Sequence, residues 1–283
     1  MSEDALPHVI VAGVDGSASS LHAVRWAARE ALRQAVPLLL LHSVYVPSPE
    51  PYVPVRLPRS YGEALREQGT ELLTEAAKVA QEAASGVVVR TEQRNGPASG
   101  HLLRLAESAE LLVVGSRGLG AVAGVLLGSV AGEVAAHAHC PVVVVRGRTP
   151  ESAPRETGPV VVGVDGSVRG AAAVRFAFDM AAARAAPLVV VHVAFRSTAV
   201  MPEEAGRQVR AGSARYPGLE VRERIVHDRP VRGLLDVAED ASLVVVGSRG
   251  RGGFTGLPLG STSQAVLRHA SCPVAIVREK ADQ

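Results

Sequence analysis

The chain has 283 residues, room for two domains of ordinary size, and 47% of them are hydrophobic, enough for two cores. Aromatics make up 3%, and the formal net charge of +2 comes from 30 basic and 28 acidic residues with no long run of one sign, so nothing points to base stacking, nucleic acid or an anionic membrane. No apolar run approaches the roughly 20 residues of a membrane helix and residues 1–4 lack a secretory layout, so the expectation is a soluble cytoplasmic protein with Cys140 and Cys272 buried and reduced.

In chain order, an apolar strand over 8–14 ends in Asp15-Gly16-Ser17 and leads to a helix over about 18–35, where Leu21, Val24, Ala28, Ala31 and Leu32 recur at helical spacing. Ser17 or Ser19 is placed to cap that helix. A strand over 38–44 follows, then a proline-rich surface loop over 47–58 and a helix over 61–84. The half closes with a strand over 86–92, a helix near 98–109, a strand over 111–115, a helix after Gly128 and a strand over 141–146. Strands alternating with helices, and Val and Leu runs without polar alternation, predict an α/β fold with a parallel sheet covered on both faces.

The chain is then written a second time. Val14-Asp15-Gly16-Ser17 recurs as Val164-Asp165-Gly166-Ser167, and residues 37–42 recur as 187–192, both at an offset of 150. Later segments repeat at an offset of 132, so the second copy lacks 18 residues between its second and third strands. The expected division is 1–147 and 159–283, with a linker over 148–158 carrying prolines and mixed charges.

The two copies share one loop pattern. Gly115-Ser116-Arg117-Gly118, nine residues, then Gly128-Ser129 is matched by Gly247-Ser248-Arg249-Gly250, nine residues, then Gly260-Ser261. A strand, a glycine-punctuated loop and a helix start form an anion cradle, because backbone N–H groups can approach closely and the first helical donors are unpaired. In a parallel sheet Asp15 and Gly115 end strands that face one crevice if those strands are neighbours, which places a carboxylate opposite the cradle. Arg117 and Arg249 either face phosphate or lie solvated beside it. His42 and His192 read as satisfied structural histidines, His137 and His139 as decoration of a helix end, and Trp26 with its counterpart Phe176 as core.

These motifs, with the first strand ending Gly-Val-Asp-Gly-Ser and the Cys-Pro-Val that enters the last strand, resemble the ATP-binding branch of the universal stress protein family, in tandem and over almost the whole chain. The resemblance implies two tandem doubly wound parallel five-stranded sheets of order 3-2-1-4-5, helices on both faces, and ATP in each crevice. By position, Asp15 and Asp165 would serve the ribose and adenine side, and Ser43 and Val193 would touch adenine through their backbone. Gly115, Gly118, Gly128 and Ser129, with Gly247, Gly250, Gly260 and Ser261, would hold the phosphates, and Mg²⁺ could bridge them. Ser43 departs from the family's usual apolar residue.

In that strand order residues 142–145 and 274–277 would each be a bare apolar edge, so the two are expected to pair antiparallel, with a homodimer of the whole chain as a further step. The leading function, which the resemblance implies, is a nucleotide-dependent regulator of stress or dormancy. A slow ATPase or phosphoryl-transfer enzyme is the alternative, weakened because lysine occurs only at Lys78 and Lys280, away from both loops. An assembly module with vestigial sites is the third reading. Arg251, which stands where the first copy has Leu119, would add charge to the second site.

Overall fold

The computed structural model describes residues 8–45, 59–120, 126–149, 152–195, 200–250 and 258–279. The first half runs β1 (Ile10–Val14), α1 (Ala18–Gln34), β2 (Leu38–Val44), α2 (Arg59–Ala83), β3 (Val89–Asn95), α3 (Ala98–Leu105), β4 (Leu111–Gly115), α4 (Ser129–His137) and β5 (Val142–Val145). The second runs β6 (Val160–Val164), α5 (Ala171–Ala183), β7 (Leu188–Val193), α6 (Glu203–Arg215), β8 (Val221–Val226), α7 (Pro230–Val237), β9 (Leu243–Gly247), α8 (Ser261–His269) and β10 (Val274–Val277).

Within each half all strand pairs are parallel, and the order is 3-2-1-4-5. The halves then fuse. β5 and β10 pair antiparallel, Val144 opposite Val274 and Val142 opposite Ile276, which makes one ten-stranded sheet of order β3-β2-β1-β4-β5-β10-β9-β6-β7-β8. Each open edge thereby covers the other, and the order reads as two copies related by a pseudo-two-fold at the junction.

The unbroken apolar runs follow from burial on both faces. In β4, Leu111 and Val113 enter the core beneath α1, α2, α5 and α6, while Leu112 and Val114 enter the one beneath α3, α4, α7 and α8. Outer strands β3 and β8 are exposed along much of their length and carry Arg90, Glu92 and Arg94, and Arg222, Glu223 and Arg224. Charge of this kind discourages further pairing at those edges.

Three details differ from expectation. β3 begins at Val89 rather than 86, since Gly86 has φ +91° and Val88 is 59% exposed; register with β2, from Leu38 opposite Val89, sets its extent. α3 ends at Leu105, and the next residues close tighter turns, such as Glu107 N–H to the Arg104 carbonyl at 3.3 Å. Leu32 lies 46% exposed, while Trp26, Ala27 and Glu30 join the buried stripe of α1. The shortening of the second copy is largely helical, as α2 has 25 residues and α6 has 13. The loop over 47–58 lies outside the described residues.

Trp26 is buried, Phe176 is partly buried and Phe178 fills the core beside it. Both cysteines are buried, and neither is in a disulfide. Among the described residues no helix is long and apolar enough to cross a membrane.

Candidate functional site

The crevice opens where β1 and β4 lie side by side, Ala12 opposite Val113, and their helices leave to opposite faces. Just beyond β1 the chain turns at Gly16, φ +84°, and the Asp15 carboxylate folds back on that turn. Its Oδ1 accepts from the Ser17 N–H at 3.0 Å and the Ser17 hydroxyl at 2.7 Å. Its Oδ2 accepts from the Leu119 N–H at 3.1 Å, so one aspartate ties the β1–α1 turn to the loop after β4.

That loop must pass very close. A Cβ at Gly118 would stand 2.4 Å from Asp15 Oδ2, and one at Gly250 would stand 2.5 Å from Asp165 Oδ2, so at both positions a side chain would force the carboxylate or the loop to shift; the constraint is space rather than φ. In the second half Asp165 Oδ1 accepts from the Ser167 N–H at 2.9 Å. Arg251 lies outside the described residues, so its charge is not placed; Leu119, in the same position of the first copy, is 72% exposed at the mouth.

Gly128 and Gly260 cap α4 and α8 in extended conformation, and each donates its N–H to the carbonyl of Ser116 or Ser248 at 2.8 Å. The N–H groups of Ser129, Val130 and Ala131 precede the first intrahelical bond, from Gly132 to Gly128. They border the cleft, and unpaired donors at a helix start are of the kind that suits an anion.

The first cleft has a volume of about 480 Å³ and the second about 570 Å³, a size suited to a nucleotide-sized ligand. All seven first-half candidates border the first cleft: Asp15, Ser43, Gly115, Arg117, Gly118, Gly128 and Ser129. All seven second-half candidates border the second: Asp165, Val193, Gly247, Arg249, Gly250, Gly260 and Ser261. The Ser43 hydroxyl is turned away to donate to the Gly96 carbonyl at 2.6 Å. Arg117 and Arg249 are half-buried at the cleft walls.

His42 and His192 each donate Nδ1–H to the carbonyl ending the neighbouring strand, Val14 at 2.8 Å and Val164 at 3.0 Å. They are strand clamps that also form part of the cleft wall. His137 and His139 are exposed at the end of α4. Among the described residues no cluster of three or more His, Cys, Asp or Glu could hold a metal.

The clefts are not identical. Ser17 caps α1 by accepting from the Ser20 N–H at 3.1 Å, whereas the Ser167 hydroxyl is buried without a hydrogen-bond partner. The chain after Ser167 forms a 3₁₀ turn, Val168–Gly170, before α5 begins. Thr262 borders the second cleft where Val130 borders the first. Sequence reasoning missed the apolar side walls, Leu102 and Leu234; their signal was the four-residue spacing from Ala98 and Pro230, which line the same clefts.

A model of the "Universal stress protein family" matches residues 7–146 and 156–278. A universal stress protein of Mycolicibacterium smegmatis is 38% identical over 99% of this chain and 100% of its own length. One of Mycobacterium tuberculosis is 37% identical over 95% of this chain and 96% of its own length. Among solved structures, a universal stress protein of Archaeoglobus fulgidus superposes with a TM-score of 0.75 at 21% identity, covering 96% of this chain and 98% of that one, which is a likeness of fold.

Proposed function

Because the chain belongs to the universal stress protein family, we propose that it is a cytoplasmic ATP-binding regulator of stress or dormancy that holds one ATP in each half. One observation carries the reading: in both clefts a glycine loop, a helix start and an aspartate converge on a space of nucleotide size. Ribose and adenine would lie toward Asp15 and Ser43, or Asp165 and Val193, and the phosphates toward Ser129 or Ser261. Mg²⁺ would bridge phosphates without a dedicated protein cage.

Turnover is expected to be slow or absent. Rapid phosphoryl transfer needs a cation at the γ-phosphate and a residue that orients the nucleophile. Lys78 stands exposed on α2, 4.0 Å from Glu82, and Lys280 lies outside the described residues. The Asp15 oxygens are engaged by Ser17 and Leu119. ATP would act by favouring one arrangement of the loops before Gly128 and Gly260 and so the surface a partner meets. A homodimer of the whole chain belongs to the same reading, and the charge on β3 and β8 disfavours strand pairing at those edges.

The deciding experiment is mass spectrometry of the ligand released when the purified full chain is denatured, with phosphate release measured at saturating Mg-ATP. Two ATP per chain and release far slower than about 1 per second support the regulator. Release within the ordinary enzymatic range, lost in Asp15→Ala/Asp165→Ala, favours the enzyme reading. Failure to bind any nucleotide leaves the assembly module.

A further inference from the structure

Each cradle is joined by a series of hydrogen bonds to the helix that forms the other cradle. In the first half the Gly128 N–H donates to the Ser116 carbonyl at 2.8 Å, and the Ser116 N–H donates to the Val145 carbonyl, at the end of β5, at 3.0 Å. The next residue, Arg146, crosses the junction, and its Nη1 donates to the Leu267 carbonyl at 2.6 Å in the last turn of α8. α8 is the helix whose Ser261 end opens on the second cleft.

The reciprocal path is present. The Gly260 N–H donates to the Ser248 carbonyl at 2.8 Å, and the Ser248 N–H donates to the Val277 carbonyl at 2.8 Å. Arg278 follows, and its Nη2 donates to the carbonyls of Ala135, at 3.2 Å, and Ala136 near the end of α4. The same nitrogen holds the Pro258 carbonyl at 3.1 Å, two residues before Gly260. Arginine at a helix C-terminus is a favourable pairing with the exposed carbonyls and the negative end of the dipole. Each nine-residue helix is therefore held at one end by the opposite half and offers its other end to a cleft.

We propose that the two clefts are coupled through these crossed arginines, so that an anionic ligand seated in one cradle steadies the helix of the other and raises its affinity. The inference rests on the reading that the clefts hold nucleotide. Charge acts in the same direction. Burial first, and the nearby Arg117 guanidinium as well, hold Arg146 below the usual arginine range, and burial followed by Arg249 does the same to Arg278. Phosphate beside Arg117 or Arg249 offsets that repulsion and strengthens the brace. The coupling is reciprocal by thermodynamic necessity.

The test is calorimetric titration of the full chain with Mg-ATP in the wild type, Gly118→Leu, Gly250→Leu and Arg146→Met/Arg278→Met. Leucine at 118 or 250 drives a side chain onto the aspartate and closes one cleft without adding charge. With coupling, the cleft left open in either leucine variant binds about fivefold or more weaker than the second step of the wild type. The double methionine variant then reduces the wild-type isotherm to the sum of the two single-site isotherms. A wild-type isotherm that already equals that sum overturns the coupling and leaves nucleotide binding standing. No ATP binding in the wild type overturns the nucleotide reading and this inference with it. Should the double methionine variant fail to fold, the comparison of wild type with single-site variants still decides, since it alters neither arginine.

Discussion

Glu30 Oε2 and Arg184 Nη2 stand 2.8 Å apart, one from each half of the chain, with the Glu30 side chain fully buried and that of Arg184 nearly so. Arg184 also lies over the Trp26 ring, 4.8 Å from its centroid. At the offset of 150 the same two positions are Met180 and Gln34, which touch with Nε2 3.9 Å from Sδ. The two equivalent contacts, one ionic and one neutral, are joined: Glu30 Oε1 accepts from Gln34 Nε2 at 2.8 Å, and Oε2 also faces Arg33 Nη1 at 3.3 Å. Burial depresses the Arg184 pKa, and Glu30 is the group that opposes this.

Removing the Glu30 carboxylate leaves the buried Arg184 guanidinium without its counter-charge. Glu30→Gln is expected to destabilise the chain by about 3–5 kcal/mol in urea unfolding. Glu30→Met/Arg184→Gln, which reproduces the neutral contact on both sides, should recover most of that loss. A double variant no more stable than Glu30→Gln would contradict the account.

Ser17 and Ser167 occupy matching positions with different work to do. Ser17→Ala removes a helix cap and a 2.7 Å bond to Asp15, and should cost about 1 kcal/mol. Ser167→Ala deletes a hydroxyl that makes no hydrogen bond and should cost nothing or stabilise slightly. Parallel denaturant titrations of the two variants check the difference, and equal losses would refute it.

Gly118→Arg should abolish binding in the first cleft alone. Its Cβ would stand 2.4 Å from Asp15 Oδ2, so the loop has to move or the carboxylate has to leave. Stoichiometry in a nucleotide titration should fall from two to one, and Gly250→Arg should do the same for the second cleft. Circular dichroism of both variants should remain that of the folded chain.

Burial pushes the Cys272 thiol up to about 12, with Arg146 partly opposing it. In the unfolded chain such a thiol ionises near its ordinary value of 9.0. Because the folded value is raised, the contribution to stability is complete below pH 9 and is lost between 9 and 12, where only the unfolded state gives up its proton. Cys272→Ala should flatten the alkaline fall in stability, measured as denaturation midpoint against pH. An unchanged alkaline limb would show that other groups carry it.

The clefts were legible because their determinants are local and occur twice: an aspartate at a strand end, glycines at fixed spacing, and a helix start. What the sequence concealed depends on distant partners. Glu30 reads as an ordinary surface charge on α1 until Arg184, 154 positions away, arrives from the other half. Leu32 shares the helical spacing of Ala28 and Ala31 yet faces out, because the stripe that meets α5 is rotated toward Trp26 and Glu30. The limits of β3 follow from hydrogen bonding to β2, and an edge strand with one wet side carries little apolar pattern to mark them. Arg146 and Arg278 follow their strands like any linker charge, and only the folded junction brings each to the other half's helix.

The antiparallel seam between β5 and β10 also sets how the molecule can be addressed from outside. Ligands in such sheets enter beyond the C-terminal ends of the strands, and those ends point one way in β1–β5 and the other way in β6–β10. The two mouths therefore look out from opposite ends of the strand array. A body seated over one rim would leave the other rim uncovered, so what the two clefts share passes through the seam between them and not across a common mouth.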